Sequence, residues 1–483
     1  MNNELIAQIQ QLQRAARTLE PDEDVRKETS AIVQEYAEVF LERLLTAKTY
    51  IQEGKDDNTL SDTDFSPPND MGSVIHLLEK HLEKPGINTA HGGHLGYIPG
   101  GGIYAAALGD YLADITNKYA GVFYASPGAV RIENALIEWT AKLVGYNEGF
   151  GGNITSGGSI ANLVAVIAAR EKQVWYSEDY CTRVVYTTEQ AHHSVRRALF
   201  IAGLKDCKIK YIKTDGQYRM DIADLEQQIA EEKNGPYKPF MIVANAGSTD
   251  TGAIDPLAAI SAVAKQYNLW FHVDAAYGGY FLLLDEYKEK MKSIEQADSV
   301  VLDPHKGLFL PYGTGIVLVK EKRHLQEAFA YDAHYMQDTT ATTDSVSPAD
   351  VSPELSKHFR GLRMWLPLKL YGEQPFRDCL QEKLLLTRYF TERVAELGFE
   401  IICKPELTVV AYRYIPESGD ANEFNKKLLG AIHADGEIFI SSTMLNGMFV
   451  LRFACLSFRT HLTHVDKLLA MLERHRDDLL KAG

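Results

Sequence analysis

Lys306 sits where chemistry can be done: the apolar run Ser299 to Leu302 meets Asp303, Pro304 and His305, and the lysine is followed by Gly307. A lysine where an apolar strand enters such a loop can be held against an apolar wall. Desolvation disfavours the ammonium, so its pKa is expected to fall, freeing the amine to form a Schiff base with a carbonyl. Upstream, a second apolar run, LWFHV, ends in Asp274 within HVDAAYGG. Burying an unpaired carboxylate is costly, so Asp274 needs a partner. A buried arginine would serve. So would the ring nitrogen of pyridoxal 5'-phosphate, whose aldehyde would answer Lys306.

Two further groups lie at comparable places. Gly157, Gly158 and Ser159 stand between the run GNITS and the helical pattern IANLVAVIAAREK. Glycines let the backbone approach a phosphate, Ser159 is expected to cap the helix, and free amides with the helix dipole favour an anion. A plain tight turn would read the same way. No Walker lysine follows and GxGxxG is absent, so ATP and NAD are disfavoured. EQAHHSVRRAL places His192 and His193 at a strand-to-helix junction. Sequence neighbours point in different directions on a helix, so no metal site is expected. An imidazole there could stack on a ring held by Asp274 and relay a proton.

The elements that must position these residues follow from the patterning. Between residues 149 and 320 short runs such as RVVYTT, FMIVANAG, LWFHVDAA and GIVLVK alternate with helical patterns. Runs apolar on both faces read as buried strands of a mostly parallel sheet covered by helices on both sides, an α/β architecture whose ligands sit beyond the strands' carboxyl ends. Residues 1–88 are helical in pattern, broken by a polar stretch with Pro67 and Pro68, and read as a helical arm that wraps a partner subunit. Residues 89–370 read as the large domain and 371–483 as a small α+β domain, with a hairpin turning at Asn446-Gly447.

Composition narrows the class. The 483 residues are 45% hydrophobic and 24% charged, ordinary for a globular protein, and exceed what one core usually organises. A formal net charge of −15 opposes nonspecific binding to nucleic acid or anionic membranes. The five cysteines, at 181, 207, 379, 403 and 455, show no CxxC spacing. Neither a zinc nor a disulfide framework is expected. With no signal-peptide core and no apolar run of membrane-spanning length, the cytoplasm is the expected compartment.

The order TSGGS, AHHSV, HVDAAYG and DPHKG resembles the group II pyridoxal-phosphate-dependent amino-acid decarboxylases, which include the aromatic-L-amino-acid decarboxylases. The similarity also takes in HLGYIPGGG, YASPGAVRIE, FRGLRMWLPLKLYG and FVLRFA, and so spans most of the chain. It implies the aspartate-aminotransferase fold, fold type I of the pyridoxal-phosphate enzymes, and a homodimer with composite active sites. By the same resemblance Lys306 carries the cofactor, Asp274 pairs its ring nitrogen, His192 stacks on the ring and Ala276 packs the opposite face. Gly157, Gly158 and Ser159 hold the phosphate, Ser248 and His305 make further cofactor contacts, and Tyr97, Ile98, Pro99 and Gly100 line the substrate pocket. Tyr335, in the polar stretch 331–353, matches the mobile-loop tyrosine that protonates the substrate carbon. Gly307 departs from the family, which usually has a bulky aromatic after the lysine, and this puts the pocket's shape in question.

The expected reaction is loss of carbon dioxide from an L-amino acid, through a Schiff base at Lys306 and a quinonoid intermediate protonated by Tyr335. An aromatic substrate is the first expectation, from Tyr97, Tyr119, Phe123 and Tyr124. Aspartate, glutamate or 2,4-diaminobutyrate come next, because Gly100 to Gly102 could receive a side-chain carboxylate. A fold type I aminotransferase or another lyase is the further alternative.

Overall fold

The computed structural model describes residues 2–52, 59–61, 63–66, 68–173, 175–233, 235–330 and 346–482. Its central sheet has seven strands: β1 (Gly151–Thr155), β2 (Arg183–Thr187), β3 (Lys208–Tyr211), β4 (Lys238–Asn245), β5 (Trp270–Asp274), β6 (Ser299–Leu302) and β7 (Gly315–Val319). They lie in the order β1-β7-β6-β5-β4-β2-β3. β7 runs antiparallel to both its neighbours and every other pairing is parallel. This is the mostly parallel α/β sheet expected from the sequence.

Why the strands are apolar on both faces is visible residue by residue. Val300, Leu302, Ile316 and Leu318 enter one core, with Leu136, Ile137 and Ile260 from helices on that face. Their alternates Val301, Val317 and Val319 enter a second core with Ala161, Val164, Val195 and Leu199 from helices on the other. The period of two along a strand thus feeds two cores at once. Every strand except β7 points its carboxyl end at the same edge, and there the chain turns into the segments that carry the candidate residues.

A second sheet of five strands is ordered Glu400–Ile401, Val409–Arg413, Met448–Ala454, Phe439–Leu445 and His94–Leu95. Its last pair is parallel and the others antiparallel. The edge strand therefore comes from the stretch just before Tyr97, far from the rest in sequence, and couples that stretch to the C-terminal residues. Asn446 and Gly447 have φ of 50° and 79°, the two positive values that a type I′ hairpin turn needs.

The N-terminal helices behave differently. Asn2–Ala15 and Glu23–Arg43 follow each other, and Glu23–Arg43 buries none of its residues. Arg43 reaches Glu79 at 2.6 Å, so the second helix is tied by charge rather than by a core.

Candidate active site

A cavity of about 370 Å³ opens at the carboxyl edge of the large sheet. Gly157, Gly158, Ser159, His192, Asp274, Ala276, His305 and Lys306 all line it. Eight residues singled out from the sequence are thus gathered from four separate segments.

Lys306 lies in the single helical turn Pro304–Gly307, started by Pro304 in the first-turn position that tolerates a missing N–H. Asp303 precedes the turn and makes no side-chain cap. Its carboxylate instead receives the Lys306 ammonium, Nζ to Oδ2 at 2.9 Å. This changes the expectation for the lysine. Burial pulls its pKa down, but the charge of Asp303 and the hydrogen bond to it, helped by Asp274, outweigh burial and the net direction is up. The neighbouring carboxylate was in plain sight three residues before the lysine, the spacing at which helical side chains meet.

Asp274 ends β5 and is buried. Its Oδ1 accepts from the Ala276 amide at 3.1 Å and its Oδ2 from Asn162 Nδ2 at 3.0 Å. The arginine considered as a structural partner is not among these bonds. His192 caps the helix His193–Ile201, its Nδ1 accepting from the Ser194 amide at 3.2 Å. Burial lowers the His192 pKa below 6.5, with Asp274 opposing and His193 and Lys306 adding to the fall. His305 donates through Nδ1 to the Thr314 carbonyl at 2.5 Å, and burial lowers its pKa too, against the pull of Asp303.

At the phosphate-like turn, Gly157 is the N-cap of the helix Gly158–Glu171 with φ +140°, a conformation open to glycine. No side chain caps that helix. Ser159 lies inside its first turn, so the expected serine cap is corrected to an uncapped start; the Ile160 and Ala161 amides already donate to the Gly157 carbonyl, which leaves those of Gly158 and Ser159 to meet an anion.

Other expected residues are placed elsewhere. Ser248 is buried, its Oγ 2.9 Å from Thr251 Oγ1 and accepting from the Ala253 amide at 3.1 Å. It organises a turn, while its neighbours Gly247 and Thr249 line the cavity. Tyr97, Ile98, Pro99 and Gly100 are not lining residues. Gly100 packs against the lysine turn, where a Cβ would fall 2.1 Å from the His305 carbonyl oxygen, while Tyr97 is exposed with its ring beside Phe439. Tyr97 has φ 55° and its amide donates to Ser441 Oγ at 3.2 Å. Arg452 donates to that same Ser441 oxygen at 2.8 Å and to the carbonyls of Thr249 and Asp250, so it ties the small sheet to the cavity loop. Tyr335 lies outside the described residues.

Gly307 does not shape the cavity. It is buried, and a Cβ there would stand 2.7 Å from Tyr280 Cβ. Tyr280 fills the space, stacked on Trp139 at 6.2 Å. The missing side chain is thus an accommodation to a second aromatic, not an opening toward a ligand.

Sequence reasoning missed Asn162, Ser194, Asn245, Asp303 and Tyr312, all of which line the cavity. Asn162 had a legible signal, as a polar residue one turn into an otherwise apolar helix. Among the described residues no group of three His, Cys, Asp or Glu side chains is placed to hold a metal ion.

Comparison with known proteins converges on one family. Residues 55–415 match the pyridoxal-dependent decarboxylase conserved domain. The chain is 32% identical over 406 residues to an aromatic-L-amino-acid decarboxylase of Bacillus atrophaeus, covering 82% of this chain and 84% of that protein. It is 32% identical over 428 residues to tyrosine decarboxylase 2 of Arabidopsis thaliana, covering 85% and 78% respectively. The fold matches the solved tryptophan decarboxylase of Catharanthus roseus in complex with L-tryptophan, with a TM-score of 0.87 at 24% identity over 95% of this chain and 99% of that one. The chain belongs to the pyridoxal-dependent decarboxylase family, and is a pyridoxal-phosphate-dependent amino-acid decarboxylase of fold type I.

Proposed function

We propose that this chain converts an aromatic L-amino acid to its amine and carbon dioxide, with the cavity at Lys306 as the cofactor site. One observation carries the site: Lys306, Asp274, His192 and the Gly157–Ser159 turn arrive from four segments and share a cavity. The aromatic substrate is supported by relatives named for aromatic amino acids.

The residues fit pyridoxal phosphate. The uncapped start of Gly158–Glu171 offers amides and a positive dipole end to a phosphate. Asp274 accepts two hydrogen bonds, and an ionised carboxylate has about four acceptor positions, so room remains for a ring nitrogen. Among the described residues buried Asp303 Oδ1 has no hydrogen-bond partner, which marks polar capacity still to be met in the cavity. When bound, the cofactor supplies an electron sink for the pair left on Cα as the carboxylate departs.

This chain's residues then have distinct tasks. Lys306 would hold the cofactor through its amine, which must first give up the proton that Asp303 stabilises. Asp274 keeps the ring nitrogen protonated. His192 and Ala276 both line the cavity and would hold the ring between them, the imidazole on one side and a methyl on the other. Gly157, Gly158, Ser159 and His305 serve the phosphate side, and Ser248 acts by shaping the loop that presents Gly247 and Thr249. Gly100 supports the lysine turn, and the exposed Tyr97, with Ile98 and Pro99, is assigned to the substrate side of the site. Tyr335 donates the proton to Cα; Tyr335→Phe is expected to lower kcat by about 10²- to 10⁴-fold with cofactor affinity kept.

A homodimer completes this reading. The helix Tyr104–Thr116 exposes Tyr104, Leu108, Tyr111, Leu112 and Ile115, a spacing that places them on one side. The helix Asn2–Ala15 exposes Leu5, Ile6, Ile9 and Leu12. Apolar surface of that extent suits a second copy. Sedimentation giving an active monomer would exclude it. A cytoplasmic location is supported by five free cysteines, and no helix among the described residues is long and apolar enough to cross a membrane.

The deciding experiment is a panel of L-amino acids scored for carbon dioxide and amine. Turnover of tyrosine, tryptophan or phenylalanine is expected. Turnover confined to aspartate, glutamate or 2,4-diaminobutyrate would overturn the aromatic assignment, and transfer of the amino group without gas would overturn decarboxylation.

A further inference from the structure

A line of buried side chains runs from the core of the large sheet to the two groups placed around the cofactor ring. Trp270 Nε1 donates to Ser299 Oγ at 2.8 Å, and the same Oγ lies 2.8 Å from His272 Nδ1. His272 Nε2 is 2.9 Å from Asn162 Oδ1. Asn162 Nδ2 donates twice, to Asp274 Oδ2 and to Ser194 Oγ, each at 3.0 Å. Ser194 Oγ is 2.7 Å from His192 Nδ1. Trp270, Ser299, His272, Asn162, Ser194 and Asp274 are all buried.

The carboxylate end dictates the direction of the bonds. An ionised carboxylate only accepts, so Asn162 turns its amide nitrogen to Asp274 and leaves its oxygen for His272. An amide oxygen only accepts, so His272 carries a proton on Nε2 and gives it to Asn162 Oδ1. A neutral His272 then accepts the Ser299 hydrogen on Nδ1, while the Ser299 oxygen accepts from the Trp270 indole. The second amide hydrogen occupies Ser194 Oγ, whose own hydrogen goes to His192 Nδ1, already taken by the Ser194 amide. The carboxylate and a neutral His272 together give one arrangement. Burial, which lowers the His272 pKa to about 4 against the pull of Asp274, agrees with a neutral ring there.

We propose that Asn162 is a positioning residue that sets the Asp274 carboxylate and the His192 tautomer together, leaving His192 neutral with its proton on Nε2. The proposal rests on the reading of Asp274 and His192 as cofactor contacts. Its content is that one amide couples the group under the ring nitrogen to the imidazole beside the ring. Nδ1 being committed, Nε2 is the nitrogen left to meet ligand.

Neutron diffraction from crystals of the deuterated holoenzyme tests the bonding directly. Deuterium is expected on Nε2 of both His192 and His272; deuterium on Nδ1 of His192 would overturn the proposal. Asn162→Leu keeps the approximate volume and removes both donors. It is expected to weaken cofactor binding by about 10- to 100-fold, the scale seen when partners that orient metal ligands are removed, and to shift the pH titration of bound-cofactor absorbance. Unchanged affinity and absorbance would overturn it. Should that variant not fold, Ser194→Ala cuts only the His192 arm. Loss of a donor to Nδ1 favours the imidazolium, so the acidic limb of kcat should move to higher pH with KM kept, while Asp274, His193, Lys306 and Asp303 still face the ring. A limb that stays put would overturn the coupling. Asp274→Asn, measured alongside, separates the two levels: if it leaves absorbance and affinity unchanged, the cofactor reading fails and the proposal with it, whereas a normal Asp274 effect with an insensitive Asn162 sinks the network alone.

Discussion

Lys306 and Gly307 are neighbours in the chain, yet the turn that carries them has two unlike sides. On the lysine's side lie a cavity, a carboxylate at 2.9 Å and His305. On the glycine's side Tyr280 and Trp139 stack with no room even for a methyl. The first side is polar, each group having a partner or facing the cavity; the second is filled by aromatic rings at close-packed contact, which leaves no volume for a further side chain. Variants on the two sides should therefore fail differently, one in chemistry and one in stability.

The sharpest contrast comes from Lys306→Ala. It is expected to abolish both the absorbance of lysine-bound cofactor and carbon dioxide release, with a melting curve close to that of the parent. Activity surviving with added cofactor would break the reading of this side.

On the apolar side, Tyr280→Ala should cost about 3–5 kcal/mol through the cavity it leaves. Gly307→Ala should cost about 1–3 kcal/mol by overpacking. Denaturant unfolding measures both. Because one volume is contested, Gly307→Trp combined with Tyr280→Ala should be more stable than the sum of the single changes. Strict additivity would show that the two sites do not share that space.

Asp303→Asn probes the boundary between the sides. Removing the charge that raises the Lys306 pKa leaves burial to lower it, so capture of pyridoxal phosphate by the apoenzyme should become possible at lower pH. Rapid-mixing absorbance across a pH series reads this directly. A profile that does not move would mean that the ion pair leaves the lysine's proton alone.

The smallest expected effect is acid sensitivity. Burial holds His272, and His94 behind the Tyr97 stretch, at a pKa of about 4 in the folded chain against an ordinary 6.5. Between those values the unfolded chain binds protons that the folded chain refuses, so stability falls as pH drops from about 6.5 toward 4. His94→Phe should flatten the pH dependence of the unfolding midpoint in that window.

Much of this was legible from residue order. Strands apolar on both faces announced a covered parallel sheet, and the Asn446-Gly447 pair announced its hairpin, because both depend on local rules of period and φ. Polar residues at strand ends announced a site, since buried polar groups need partners there. Three readings did not survive in their first form. Ser159 does not cap its helix, Ser248 turns its hydroxyl into its own loop, and Lys306 is held more strongly protonated than burial alone would allow. Each depended on which neighbour lies within about 3 Å, and spacing along the chain is blind to that across segments.

From the sequence alone came the fold class, the family resemblance, the lysine, the aspartate and the histidine, because these follow from residue type, period and position at strand ends. Only the tertiary structure decided what surrounds them: that Tyr280 takes the space beside Gly307, that Asp303 holds the lysine's proton, and that Asn162 joins Asp274 to His192. The physical reason is the same in each case. Volume and hydrogen-bond direction are settled between side chains that meet only after the sheet has brought distant segments together.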